Sequence, residues 1–121
     1  MPRPLLDESQ VHPAIRAQIA ATHRELVDEV VAALAARPVV VVGMQGNPFV
    51  RQARKALDDA GVAHHYIGCG SYFSQWRRRN ALKMWCGWPT LPMVFVKGVL
   101  VGGASDLRRL IASGEFKRLL G

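Results

Sequence analysis

Apolar positions first recur at helical spacing: Ile15, Ile19, Leu26, Val30 and Leu34, widened by Val27 and Val31, with Glu25, Asp28 and Glu29 on other faces. The spacing predicts helix from Pro13 to about Ala36, and the break in register at Thr22-His23 leaves open two shorter helices. Pro38 ends the segment, because it disfavours a helical conformation at Arg37 and donates no backbone hydrogen bond. Val39 to Val42 is then a continuous β-branched run between Pro38 and Gly43, the pattern of a central strand buried on both faces. Asn47-Pro48 reads as an N-cap with Pro at the first helical position of a helix that runs through Ala53, Ala56 and Leu57 to Ala60 and is closed by Gly61. Val62 to Ile67 supplies the next strand, which completes a right-handed βαβ unit.

The second half changes rhythm. A loop, Gly68-Cys69-Gly70-Ser71, leads to a basic helix expected from about Tyr72 to Trp85 and stopped before Gly87-Trp88-Pro89. Met93 to Val96 and Val99 to Val101 are joined by Lys97-Gly98, a connection so short that the two strands form an antiparallel hairpin. The small-residue loop Gly102-Gly103-Ala104-Ser105-Asp106 opens a last helical stretch whose apolar face is Leu107, Leu110 and Ile111, then Phe116, Leu119 and Leu120. Before the first helix, residues 1–12 are expected to form an irregular arm around Pro2 and Pro4.

Composition narrows the class. With 121 residues, half of them hydrophobic, the chain is one domain and not a disordered charged tail, which could not bury enough surface to offset ordering entropy. Two Cys, Cys69 and Cys86, make no disulfide framework and lack the paired short gaps of a zinc site, so no metal is expected and the compartment is expected to be reducing. The first residues turn acidic at Asp7-Glu8 where a signal peptide would be apolar, and no run approaches the ~18 apolar residues of a membrane span. The expected location is the cytoplasm, with no membrane partner. The net charge of +7 is uneven: no acidic residue lies between Asp59 and Asp106, whereas Arg77, Arg78, Arg79, Lys83 and Lys97 do. That face suits a small anion or an acidic protein. Tyr72, Phe73, Trp76 and Trp85 interleave with these charges, but at helical spacing they read as core rather than as stacking platforms for nucleic acid.

The order of elements is that of the thioredoxin fold, and residues 38–121 resemble a glutaredoxin. The resemblance rests on Trp88-Pro89-Thr90-Leu91-Pro92, then Met93 to Gly98, then Gly102-Gly103-Ala104-Ser105-Asp106-Leu107, then Ser113-Gly114-Glu115-Phe116. The Trp-Pro-Thr variant is similar to the monothiol branch. The resemblance implies a three-layer α/β/α fold with a mixed four-stranded sheet and an extra N-terminal helix. The chain then divides into an arm (1–12), a helical extension (13–37) and a glutaredoxin-like domain (38–121).

Glutaredoxins carry a nucleophilic Cys at the start of the helix after the first strand, where the helix dipole and backbone amides stabilise its thiolate. No Cys lies between Val39 and Gly68 here. Against the dithiol pattern Cys-Pro-Tyr-Cys the positions are Asn47, Pro48, Phe49 and Val50; against the monothiol Met-Lys-Gly-Thr-Pro they are Met44 to Pro48, and the Cys-bearing loop is deleted. Asn47 carries an amide that does not ionise at neutral pH and forms no mixed disulfide. The resemblance still implies a cradle for glutathione or a γ-glutamyl peptide: Thr90, Leu91 and Pro92 at the Cys moiety, and Gly102, Gly103, Ala104, Ser105 and Asp106 at the γ-glutamyl end. Gln45 replaces a basic residue that would hold the glycine carboxylate, and Arg78 or Arg79 would supply a second contact.

Cys69 follows the second strand at the edge where the family's active site lies, and an accessible thiol is expected there as a candidate relocated nucleophile. Cys86 sits beside Trp85 and Trp88. A straight helix of ~14 residues between them spans about 20 Å, which disfavours an internal bridge and leaves open a disulfide between two copies. Three readings follow: a binding or regulatory module for a glutathione-type ligand; an oxidoreductase or cluster-binding protein using Cys69; and an interaction domain that uses the N-terminal helix for self-association and the basic face for an acidic partner or nucleic acid.

Overall fold

A computed structural model describes residues 6–21, 24–69, 76–88 and 90–121. Residues 70–75, including Tyr72 and Phe73 of the expected basic helix, and Pro89 lie outside these residues. The predicted N-terminal helix is two: α1 (Pro13–Ala21) and α2 (Arg24–Ala36). There follow β1 (Val39–Gly43), α3 (Pro48–Asp59), β2 (His65–Gly68), α4 (Trp76–Cys86), β3 (Met93–Val96), β4 (Val99–Gly102), α5 (Ala104–Ser113) and α6 (Glu115–Leu120). A single terminal helix was a reasonable expectation from the apolar spacing, but Gly114 takes φ 82° and divides it.

The sheet order is β2-β1-β3-β4. β1 pairs parallel with β2 and antiparallel with β3, and β3 pairs antiparallel with β4. The mixed four-stranded sheet is therefore present, with β1 inside it. Because side chains alternate along a strand, the valine run serves two cores at once. Val40 and Val42 pack with Leu26, Val27 and Val30 of α2 and Leu82 of α4. Val39 and Val41 pack on the other face with Ala53 and Leu57 of α3, Leu107 of α5 and Phe116 of α6. All four valines are fully buried, and each contributes on the order of 1.5–3 kcal/mol by that burial.

This packing narrows the expected stripe. Ile15 of α1 is exposed and Val31 also faces solvent; the buried face of α2 is Leu26, Val27, Val30 and Ala33. α2 packs on α4 and on β1 and closes one face of the sheet. At the β3–β4 turn both central residues have positive φ, Lys97 at 52° and Gly98 at 79°. That is the geometry a two-residue hairpin needs to match the strand twist.

Candidate ligand-binding groove

The C-terminal end of β1, the start of α3, the segment before β3 and the start of α5 meet around a groove of about 670 Å³, within the size range of small-ligand sites. Thr90, Leu91 and Pro92 line one side and Gly103, Ala104, Ser105 and Asp106 another. The Leu91–Pro92 peptide is cis. Leu91 lies outside the β1–β3 ladder, which ends at Met93 paired with Val42, so the sheet does not use its backbone polar groups.

Opposite, α5 presents the backbone of its first turn. Asp106 is spent locally: its Oδ2 accepts a hydrogen bond from the Gly103 N–H at 3.0 Å, which fixes the entry to the helix. Gly102 is not a wall of the groove but the reason this turn closes. Its φ is 115°, and a β-carbon there would stand 2.5 Å from Asp106 Oδ2 and 2.8 Å from Asp106 Cβ. The Trp88 indole N–H, another group at the groove, is buried without a partner among the described residues.

At the start of α3, Asn47 is the N-cap, in extended conformation, with Pro48 behind it. Its Oδ1 accepts from the Phe49 N–H at 2.8 Å and the Val50 N–H at 3.3 Å. Such a cap is worth about 1 kcal/mol. The amide thus occupies the place where backbone donors would stabilise a thiolate, and it already uses them.

Cys69 is not the accessible thiol expected. It is fully buried in the core between the sheet and α2, its N–H donating to the Gly43 carbonyl at 2.9 Å and its Sγ to the same oxygen at 3.1 Å. The reason is strand periodicity: two residues after Ile67, it continues the face that Ile67 turns into that core. Cys86 is half-buried, its Sγ 3.5 Å from Met93 Sδ and accepting from the Trp88 N–H at 3.4 Å. The two are not joined by a disulfide.

The basic contacts also differ from expectation. Arg79 reaches the groove, but it is buried and its Nη1 donates to the Cys69 carbonyl at 3.1 Å, tying α4 to the end of β2. Arg78 lies on the first turn of α4 and its side chain is outside the described residues. Gln45 is not in the groove. The chain turns at Gly46, with φ 81°, and Gln45 lines a second hollow between α3 and β2. Lys83, Asn80 and Phe49 also line the groove, although the resemblance did not place them in the glutathione cradle. Lys83 falls four residues after Arg79, so helical spacing alone puts it on the same face.

A family model described as Glutaredoxin matches residues 39–101. A glutaredoxin-like protein of Dictyostelium discoideum is 42% identical over 92 residues, covering 76% of this chain and 75% of that protein. Monothiol glutaredoxin-S11 of Oryza sativa is 31% identical over 103 residues, covering 80% of this chain and 20% of that longer protein. Among solved structures, a buckwheat glutaredoxin–glutathione complex superposes with a TM-score of 0.69 at 20% identity, covering 81% of this chain and 89% of that one. With the fold, the order of landmarks and these matches in agreement, the chain belongs to the glutaredoxin family of redox proteins.

Proposed function

We propose that the protein is a glutaredoxin-family module that binds glutathione or a γ-glutamyl peptide without acting on it as a nucleophile. The observation that carries this reading is the pairing of an open groove, lined by Thr90, Leu91, Gly103, Ala104 and Ser105, with an amide at the N-cap of α3. The unsatisfied Trp88 N–H supports it, because a buried donor without an acceptor costs about 1–3 kcal/mol and favours a ligand or water at that wall. The buckwheat homologue with glutathione bound shows that this fold accommodates the tripeptide. The reading with Cys69 as nucleophile or cluster ligand has the burial of that thiol against it.

An amide NMR titration of the reduced protein with glutathione is expected to give saturable shifts at Leu91, Gly103, Ala104, Ser105 and Asp106. A dissociation constant on the order of 1 mM, about −4 kcal/mol, is expected for a cradle missing its covalent partner and the charge at Gln45. Absence of saturable shifts there would remove the ligand. The Asn47→Cys variant is expected to carry a thiol that ionises below about pH 7.5, because the Phe49 and Val50 amides then donate to sulfur. It should reduce a glutathione mixed disulfide while the parent chain does not. Reductase activity in the parent chain that Cys69→Ser abolishes would overturn the non-catalytic part of the reading.

A further inference from the structure

The second hollow meets the groove at Met44 and Asn47 and is otherwise lined by Gln45, Gly46, Arg51, Arg54, Tyr66 and Gly68, with Val50 as its apolar floor. Its volume is about 460 Å³. Arg51 and Arg54 lie three residues apart on the exposed face of α3, the spacing at which helix side chains are neighbours. Arg54 is held in place: its guanidinium carbon sits 4.3 Å from the centre of the Tyr66 ring. Neither guanidinium enters an ion pair among the described residues. The carboxylates of α3, Asp58 and Asp59, sit at its opposite end beside His64 and Lys55.

Two further features keep the space open. A β-carbon on Gly46 would meet nothing within 4 Å, and one on Gly68 would meet only the Tyr66 side chain, at 3.5 Å. Burial, helped by the nearby Cys69 and opposed by Arg54, pushes the Tyr66 phenol up from its ordinary value, so at neutral pH it is a hydrogen-bond donor. The hollow therefore offers positive charge, two planar forks of N–H donors, one phenol and the Gln45 amide, and no carboxylate lines it among the described residues.

We propose that this hollow is a second ligand site, for a small molecule bearing a phosphate monoester. Two guanidinium forks present more donors than one carboxylate accepts, whereas a phosphate dianion offers three free oxygens and twice the charge. Stacking on Tyr66 orders Arg54 before the ligand arrives, which lowers the entropy cost of binding. The hollow adjoins the groove at Met44 and Asn47, but its two arginines lie outside the groove.

The test is a titration of the full chain with inorganic phosphate at pH 7.5 and constant ionic strength, followed by the amides of Gly46 and Tyr66 and the side-chain Nε–H groups of Arg51 and Arg54. Saturable shifts confined to this set are expected. Succinate, a carboxylate dianion, should bind at least about tenfold more weakly, as should phosphate to the Arg51→Gln/Arg54→Gln variant, since charge-assisted hydrogen bonds are lost. Both side chains are exposed, so the variant should keep its amide spectrum. Lys117→Gln/Arg118→Gln on α6 removes the same charge elsewhere and should leave phosphate binding unchanged. Non-saturating shifts spread over all basic residues, equal binding of succinate, or an undiminished affinity in the double arginine variant would each overturn the proposal. Glutathione shifts at Leu91 and Gly103 would be unaffected by any of these results.

Discussion

Replacing Gly43 by alanine is expected to lower stability by about 2–3 kcal/mol, the range for forcing extra volume into a packed interior. A β-carbon at Gly43 would fall 2.5 Å from Val50 Cγ2 and 2.7 Å from its Cγ1. Val50 is itself buried on the first turns of α3, so it has no solvent to move into. Either α3 lifts from β1 or the end of β1 shifts. The second response would disturb the Gly43 carbonyl that accepts both the N–H and the Sγ of Cys69. Urea unfolding should therefore show a lower midpoint with unchanged slope, and Cys69 should react faster with a thiol reagent. Combining Gly43→Ala with Val50→Ala should cost at least about 1 kcal/mol less than the sum of the two single changes. Strict additivity would mean that the two positions do not meet.

The second large effect is expected at Gly102→Ala, about 2–4 kcal/mol, where two costs combine. The φ of 115° is outside the range that residues with a β-carbon adopt readily, and the new carbon would overlap Asp106 at its carboxylate, its Cγ and its Cβ. Asp106→Ala in the same chain removes the carboxylate but leaves the Cβ contact and the backbone strain, so it should restore only part of the loss. Glutathione titration of the single variant should show weakened shifts at Gly103 and Ser105, because Asp106 no longer holds the Gly103 N–H in place. A folded Gly102→Ala protein of parental stability would rule out the turn geometry described at the head of α5.

Most of the fold was legible because its signals are local. The four valines of β1, the Asn47-Pro48 cap, the Lys97-Gly98 turn and the small residues before α5 each specify an element through nearby sterics or hydrogen bonding. What the chain order did not disclose depended on packing between distant segments. Ile15 and Val31 belong to an apolar stripe but face solvent, because the surface that α2 covers is only as wide as the sheet and α4 make it. Arg79 has the charge of a carboxylate ligand, yet it is held by the Cys69 carbonyl ten residues earlier. The glycine neighbours of Cys69 suggest a loop thiol, whereas the alternation begun at Ile67 points it inward. In the groove, Leu91, Gly103 and Asp106 came from the family pattern; nothing in their chemistry alone distinguishes them from an ordinary turn. Lys83 was within reach of simple helical arithmetic from Arg79.

The placement of α2 also separates what is recognisable from what can stand alone. The segment matched as Glutaredoxin, 39–101, contains β1, β2, β3 and all of β4 but Gly102, and of the described helices only α3 and α4. Cut out by itself, it would lack Leu26, Val27 and Val30 over one face of the sheet and Leu107 and Phe116 over the other. Both faces of β1 would then meet water, and such a fragment would be sticky rather than cooperative in its melting. During synthesis the consequence has a direction. α2 emerges before the sheet and waits for it, whereas α5 and α6 must follow, so the hydrophobic centre of this molecule is closed only when Leu107 and Phe116 have been made.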